Sequence, residues 1–381
     1  MRGLPLNSIS HFDNYSVIWI KATNKYVCLD YGFYQCLALY ERSKSKSEFT
    51  KGLANKYNLT EELCSKQYEI IKSFCDELNR IEVNEFPTQV SSMDPLEPLP
   101  YSYSYKIAEH VIKISSNCKA ILQLIHPFIA HLEQNSSTQS LKPYHIKLVE
   151  NKHNSNVALF ENNVFKTEYT PDSLHKLQGS ILLTIITKLH QVNHKDWLGL
   201  FHASAVSKNN KGFMFFGPSG SGKSTLTALL AANGFEFVAD DLVPLQGENH
   251  HIYSSPKAIS VKKPIPTSIL KFWPALKNNN NHYKGKQPLT YLNLDSSEIK
   301  PMPCKHLILV RYSEQYKTKL QQLDFKQGLE ILIPEAWLSP EEQHANSFLR
   351  WLETVTFYSL EYSNYKDVIP LIESLSQATN D

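Results

Sequence analysis

The clearest pattern along the chain is a short apolar run, a glycine-rich turn and a second apolar run. Residues 211–216 are mostly aromatic or apolar and predict a buried strand, whereas residues 225–232 are rich in leucine and alanine and predict a helix. The turn between them reads Gly-Pro-Ser-Gly-Ser-Gly-Lys-Ser. A strand, a glycine-rich turn and a helix in this order predict an α/β unit.

The turn matches G-x-x-x-x-G-K-[ST], the motif of phosphate-binding P-loops. Its glycines let successive backbone N–H groups point at one phosphate, and the helix N-terminus adds a partial positive charge. Lys223 can reach the β- and γ-phosphates, and the Ser224 hydroxyl can bind Mg²⁺. We therefore predict a site for ATP and Mg²⁺ formed by Gly217, Pro218, Ser219, Gly220, Ser221, Gly222, Lys223, Ser224 and Thr225.

The next candidate group is the acidic pair Asp240 and Asp241, 17 and 18 residues beyond Lys223. The spacing leaves room for one helix and a strand that returns beside the strand of the P-loop. The two carboxylates then emerge at the same sheet edge as the loop. Neighbouring strand residues point to opposite faces, so one carboxylate can support the metal while the other faces an acceptor. A solvated turn at a strand end is the alternative.

Residues 198–206 predict one apolar strand with a single histidine, His202, which lies 15 residues before Gly217. A lone histidine in a strand usually has no chemical role. Here the strand stands close to the P-loop in the chain, so His202 is a candidate site residue.

The spacing of His202, the P-loop and the acidic pair resembles the catalytic half of the HPr kinase/phosphorylase family. It is closer to the HPr-kinase-related proteins that share only this core. The likeness covers residues 101–338 and is strongest over 202–243; residues 254–262 and 310–312 also resemble segments of those relatives. The resemblance implies an α/β P-loop kinase domain of the HPr kinase/phosphoenolpyruvate carboxykinase-like type. It also implies transfer of the γ-phosphate of ATP to a serine hydroxyl of a protein.

The resemblance implies a role for each candidate residue. Asp241 would be the base that accepts the hydroxyl proton, Asp240 would support the metal and Lys223, and His202 would hold the acidic pair in position. Arg311 would stabilise charge on the transferred group; an ordinary surface arginine at a strand end is the alternative.

The chain departs from the bifunctional HPr enzymes at two places. Leu242 follows the acidic pair where those enzymes have an arginine, and the asparagine run 278–281, which predicts a loop, stands where their glycine- and arginine-containing signature is expected. We therefore expect no phosphorylase activity and an acceptor other than HPr.

The N-terminal part predicts a separate α+β unit of winged-helix-like type over residues 1–85. Its pattern predicts two short strands followed by three helices, at 15–20, 25–29, 33–42, 47–57 and 60–78. The order resembles PqqD-like domains, which bind leader peptides by pairing an extended peptide with a strand edge. A DNA-binding winged helix, disfavoured by the absence of a dense basic helix, and a structural cap on the kinase are the alternatives.

Residues 86–104 are rich in proline and serine and predict a linker, so residues 105–381 form the predicted kinase domain. Within that domain we expect a strand at 105–115, a helix at 118–133, a hairpin at 144–169 and a helix at 171–192, all extending the kinase sheet. The last 45 residues are expected to be mainly helical.

Composition sets the context of these predictions. The net charge of +2, from 39 basic and 37 acidic residues among 381, gives no reason to expect nucleic acid or membrane as a partner. The first residues lack a long apolar region and the six cysteines have no C-x-x-C spacing, so we expect a cytoplasmic protein with reduced thiols.

Three functions remain open at this point. The first is a serine kinase that acts on a peptide or small protein, in peptide natural-product maturation, with the N-terminal domain holding the substrate. The others are an ATP-binding regulator without catalysis and a small-molecule kinase. HPr kinases are oligomeric, so a homo-oligomer is one option that the sequence leaves open.

Overall fold

The computed structural model describes residues 6–79, 98–134, 143–284, 287–294 and 300–377. These residues form two compact units, one from 6–79 with 324–355 and the other from the described parts of 98–323 with 356–377. Each unit combines helices with β-structure, so the fold is mixed α/β. Within the described residues, no helix is both long and apolar enough to span a bilayer.

Residues 6–79 form an antiparallel sheet of order β1-β2-β3, followed by three helices. The elements are β1 (Leu6–Phe12), β2 (Tyr15–Ile20), β3 (Lys25–Asp30), α1 (Tyr31–Arg42), α2 (Lys46–Tyr57) and α3 (Glu61–Asn79). The two predicted strands and three predicted helices are present, and β1 is an additional strand. Helix α2 begins one residue before its predicted start because the Ser45 hydroxyl accepts a hydrogen bond from the Glu48 N–H at 3.2 Å.

The described part of residues 98–190 forms a second sheet, of order β4-β5-β6-β7-β8, with two helices packed against it. Its elements are β4 (Tyr101–Ile107), β5 (His110–Ser116), α4 (Lys119–Ile129), β6 (Tyr144–Glu150), β7 (Val157–Glu161), β8 (Val164–Tyr169) and α5 (His175–His190). Ile114, Ile125 and Ile185 are fully or almost fully buried in the core between sheet and helices.

Three predictions for this region need correction. Of the predicted linker, residues 86–97 lie outside the described residues, but 101–104 belong to β4 and pair with β5. The predicted single strand at 105–115 is a hairpin that turns at Ala108, whose φ is +49°. The region also forms its own sheet and does not extend the sheet that carries the glycine-rich loop, because in the described chain β4–β8 pair with no strand of that sheet.

The remaining elements of the chain begin at residue 197. They are β9 (Trp197–Phe201), β10 (Ser204–Lys208), β11 (Lys211–Phe216), α6 (Lys223–Ala231), β12 (Glu236–Ala239), β13 (Val243–Gln246), β14 (His251–Ile252), β15 (Ile259–Lys262), α7 (Thr267–Phe272), β16 (His282–Lys284), β17 (Gln287–Leu292), β18 (Met302–Tyr312), β19 (Lys319–Gln322), α8 (Phe325–Leu332), β20 (Ala336–Leu338), α9 (Glu342–Leu352), β21 (Thr356–Tyr362) and α10 (Tyr365–Gln377). The last 45 residues are mainly helical, as predicted, because α9 and α10 make up most of their described part, with β21 between them.

The central sheet has the order β12-β10-β11-β18-β21-β19, and β11, β18 and β21 run parallel. Helices α6 and α10 supply Leu226, Leu230 and Ile372 to the core that covers this sheet. The start of β18 also pairs with β14, which leads through β13 to β9. A fourth sheet, of order β15-β17-β16, packs Ile259 and Val261 against α6.

The sequence predicted that the strand after α6 returns beside β11. In the structure that strand, β12, pairs with β10 instead. One side of β11 is already taken by β10, through a hairpin that turns at Asn209 and Asn210, both with positive φ. Asparagine adopts this left-handed conformation readily, so the tight turn is locally favoured. The other side of β11 is taken by β18, which leaves the outer edge of β10 for β12.

The strand predicted at 198–206 is broken in two at His202. The strand that leads to the acidic pair ends there, as predicted: β12 ends at Ala239, and β13 begins at Val243. Strands β9 and β13 pair with each other, with Phe201 opposite Val243. Strands β10 and β12 also pair, with Ala205 opposite Ala239. The chain therefore passes from β9 to β10 at His202 and from β12 to β13 at the acidic pair, and these two breaks lie side by side.

Residues 324–355 pack in the first unit, whereas the sequence placed them in the predicted kinase domain of 105–381. The rings of Phe12 and Phe325 stack at 4.3 Å between centroids, and Tyr26 meets Phe348 edge-on at 4.9 Å. These contacts join segments more than 300 residues apart, which local sequence patterns do not reveal.

Candidate functional site

The glycine-rich loop connects the end of β11 to the start of α6, as the sequence predicts. Gly222 immediately precedes α6 with a φ of +101°, and a Cβ there would lie 2.9 Å from the Tyr362 hydroxyl. Gly217 has a φ of +130°, and a Cβ there would lie 3.0 Å from a Leu309 methyl group. These two positions need glycine for both backbone conformation and space.

Lys223 is buried at the first position of α6, and its Nζ donates to the carbonyl oxygens of Gly217 at 2.6 Å and Pro218 at 3.2 Å. The ammonium thus lies inside the curve of the loop. Six residues from the predicted nucleotide-binding set line an adjoining cavity of about 860 Å³: Ser219, Gly220, Gly222, Lys223, Ser224 and Thr225. Gly217, Pro218 and Ser221 complete the loop, and the Ser221 N–H donates to the Pro218 carbonyl at 3.1 Å.

Asp240 is almost completely buried beside the loop, with 1% of its surface exposed. Its Oδ1 accepts from the hydroxyls of Ser204 at 2.6 Å and Ser224 at 2.8 Å. Its Oδ2 accepts from the Ser260 N–H at 3.1 Å. The carboxylate is therefore fixed by three donors and is joined directly to the first turn of α6 through Ser224.

Asp241 is more accessible, with 30% of its side chain exposed, and it lines the same cavity as the loop. Its Oδ1 lies 3.0 Å from His202 Nε2, and its Oδ2 accepts from Lys257 Nζ at 2.5 Å. Its φ of +70° lies in the left-handed region. The carboxylates of Asp240 and Asp241 have different partners because the chain takes a left-handed turn at Asp241, and not because successive residues of a strand point to opposite faces.

Lys257 is a site residue that the sequence reasoning did not identify. Its ammonium is buried and pairs with Asp241. Burial alone lowers the pKa of a lysine, but the negative charges of Asp241 and Asp240 outweigh it, so the pKa of Lys257 lies above its ordinary value. The sequence did contain a signal for Lys257, because it lies within the largely apolar run 256–261. A lysine in such a run is expected to be buried, and lysines are seldom buried without a charged partner.

The structure thus brings His202, Asp240 and Asp241 together with the loop. Arg311 stands apart from this group: it is half-exposed, and its Nη1 lies 3.5 Å from a Glu361 carboxylate oxygen. Among the described residues that line the cavity, the following residue, Tyr312, is present and Arg311 is not.

The site has the chemistry for a phosphate compound bound with a hard cation. The Ser224 hydroxyl and the Asp240 carboxylate provide adjacent oxygen donors next to the loop. In the described chain, no cluster of three or more histidine, cysteine, aspartate or glutamate side chains could hold a metal by itself. Mg²⁺ usually takes one or two protein oxygens and completes its shell with water and substrate phosphates, which suits this donor set.

Comparisons with known proteins find similarity among solved structures. No family model matches the chain, and no curated protein matches it. The HPr(Ser) kinase/phosphatase from Coxiella burnetii is similar in structure over 46% of this chain and 87% of its own, at 14% identity and a TM-score of 0.22. At that TM-score the similarity carries no argument about fold or function, so the function proposed below depends on the geometry of the site.

The left-handed backbone at Asp241 predicts a difference between two substitutions. Asp241→Asn and Asp241→Ala both remove the charge opposite Lys257, but asparagine tolerates this conformation better than alanine. We expect Asp241→Ala to be less stable than Asp241→Asn by about 1–2 kcal/mol. Urea unfolding of both variants measures the difference, and equal unfolding free energies would contradict a backbone constraint at this position.

Proposed function

We propose that this protein is an ATP-dependent kinase that transfers the γ-phosphate to a serine hydroxyl of a peptide or small protein. The observation that carries the proposal is the position of Asp241. Its partly exposed carboxylate lines the same cavity as the glycine-rich loop and is held there by His202 and Lys257. A protein that only binds a nucleotide does not need a second, oriented carboxylate at this position.

The loop and Lys223 are proposed to bind the phosphates of ATP. In the described structure, Lys223 Nζ donates to two carbonyl oxygens of the loop, and phosphate oxygens would take over part of this bonding. The open space around Gly220, where an added Cβ would meet no atom within 4 Å, fits a phosphate that approaches the backbone closely. The cavity volume of about 860 Å³ is also within the usual range for a small-molecule site.

Asp241 is proposed to act as the base for the acceptor. As the serine oxygen bonds to the γ-phosphorus and the bond to the bridging oxygen of ADP breaks, the hydroxyl proton passes to a carboxylate oxygen of Asp241. His202 and Lys257 orient that carboxylate, and solvent takes the proton after ADP leaves. Ser224 and Asp240 would hold Mg²⁺, which neutralises negative charge on the phosphates when it is bound.

The first unit is proposed to hold the peptide that carries the serine. Within the described residues, β1 and β3 each pair only with β2 in its sheet, so the sheet has two edge strands. An extended peptide can add to such an edge through backbone hydrogen bonds. The order of strands and helices supports this assignment through its resemblance to PqqD-like domains.

The loop predicts that Lys223→Met weakens ATP binding. A hydrogen bond to a charged group contributes about 1.5–3 kcal/mol, so we expect the Kd for ATP·Mg²⁺ to rise at least about tenfold. Isothermal titration calorimetry measures the change. Lys319→Met, at an exposed position on β19, is the matched control and should bind ATP as the wild type does. Undiminished binding by Lys223→Met would remove the loop from the proposal.

The proposed base predicts that Asp241→Asn keeps ATP binding and loses transfer. A general base contributes about a hundredfold or more, so we expect a loss of at least that size. Transfer of γ-labelled phosphate from ATP·Mg²⁺ to a protein or peptide in an extract of the source organism measures it. A labelled species with wild type alone supports the kinase and identifies the acceptor. Tight ATP binding by both proteins without labelling would favour a regulator or a small-molecule kinase.

The proposed role of the first unit predicts that the acceptor peptide has two separate parts: the serine that is phosphorylated, and a more distant segment that binds the first unit. Once the labelled serine is mapped, a synthetic peptide that keeps the serine but lacks the more distant segment should show a higher KM for the peptide. The kcat should change little, because the chemistry at Asp241 is unaltered. Steady-state phosphorylation of the full and shortened peptides tests this, and equal KM values would reduce the first unit to a structural role.

A further inference from the structure

The cavity carries more positive charge than the glycine-rich loop alone supplies. Besides Lys223, its described lining includes Lys262, Lys271 and Lys366. Phosphoryl transfer spreads negative charge over the equatorial oxygens of the transferred group, and a fixed cation at that point lowers the barrier. A lysine that acts on the transferred group has to lie next to the loop that binds the phosphates.

Lys262 is the lysine of these three that contacts the loop in the described part of the chain. Its Nζ lies 3.1 Å from the hydroxyl of Ser219, and both residues line the cavity. Lys271 and Lys366 instead adjoin Phe272 and Tyr365, whose rings approach each other at 6.5 Å between α7 and α10. Lys262 is an exposed residue, so its long side chain has room to turn toward a bound phosphate.

Strand β15 connects Lys262 rigidly to the acidic pair. The Ser260 N–H, two residues before Lys262, donates to Asp240, and Lys257 just before the strand pairs with Asp241. Val261 is buried against α6, so the strand cannot shift without disturbing that core. A single short strand thus carries the contacts to the acidic pair and the backbone position from which Lys262 reaches the loop.

Arg311, the cation proposed from the sequence, is less suited to this task. Its guanidinium lies near Glu361, and Arg311 is absent from the described lining of the cavity. Lys262 lies on the cavity side of the loop, where the acceptor and the γ-phosphate have to meet if Asp241 is the base.

We infer that Lys262 is a catalytic residue that neutralises charge on the phosphoryl group during transfer. This inference rests on the proposed kinase function. Lys262 exchanges neither proton nor electrons: the oxygen–phosphorus bond forms to the acceptor, the bond to the bridging oxygen of ADP breaks, and the hydroxyl proton goes to Asp241. The ammonium contacts the equatorial oxygens most strongly when they carry the most charge.

The test compares binding of a ground-state analogue and a transition-state analogue to full-length protein. AMP-PNP·Mg²⁺ represents bound ATP, and ADP·Mg²⁺ with aluminium fluoride represents the planar phosphoryl group. Removing one group that stabilises a transition state costs about a hundredfold or more. We expect Lys262→Met to weaken the aluminium fluoride complex by about that factor while the Kd for AMP-PNP changes less than about threefold. Lys262→Arg should restore part of the lost affinity because it keeps the charge.

Each outcome decides between specific alternatives. If wild type binds the aluminium fluoride complex no better than ADP, the kinase proposal and this inference both fail. If wild type prefers the complex and Lys262→Met keeps that preference, only the role of Lys262 fails. Equal weakening of both complexes would make Lys262 a ground-state phosphate ligand. Loss of the preference in Arg311→Met, with Lys262→Met unaffected, would return the role to Arg311. Lys319→Met, outside the cavity lining, is the control for removing a lysine charge.

Discussion

The ion pair between Lys257 and Asp241 is the interaction on which the site depends. Burying an ammonium group away from water costs several kcal/mol of desolvation free energy unless carboxylates and hydrogen bonds offset that cost. Lys257 obtains that compensation from Asp241 at 2.5 Å and from the nearby charge of Asp240. Because the lysine is buried while Asp241 is partly exposed, the pair holds a carboxylate at the cavity wall and leaves it open to an acceptor.

The pair forms where two segments of the chain pass between groups of strands at the same level. The breaks at His202 and at the acidic pair are adjacent because β9 pairs with β13 and β10 pairs with β12. A continuous ladder pairs the backbone N–H and C=O groups of a strand, and a break interrupts that pairing. Asp241 takes a left-handed conformation there, which few residues other than glycine, asparagine and aspartate adopt easily. The topology of the sheet therefore produces the geometry of the site.

This origin explains which features the sequence predicted. The loop, β11 and α6 follow from a local pattern of apolar residues and glycines, and they lie where that pattern placed them. The juxtaposition of His202 with Asp241 followed from chain spacing and resemblance, although the strand around His202 was predicted as continuous. Lys257, the position of β12 and the packing of residues 324–355 depend on pairings between distant segments. Periodicity within a segment contains no information about these pairings.

The two aspartates illustrate how one dipeptide supports two tasks. Asp240 is 1% exposed and accepts three hydrogen bonds, so its position beside the loop is set. Asp241 has a left-handed backbone conformation, a buried cationic partner and a partly exposed carboxylate. A buried ion pair often stabilises a fold no more than well-packed apolar residues would, so its presence at a cavity wall fits a functional role. A site that only bound a nucleotide would need the first aspartate and the loop. The partly exposed Asp241, held by a buried lysine, is therefore the feature on which the proposed transfer rests.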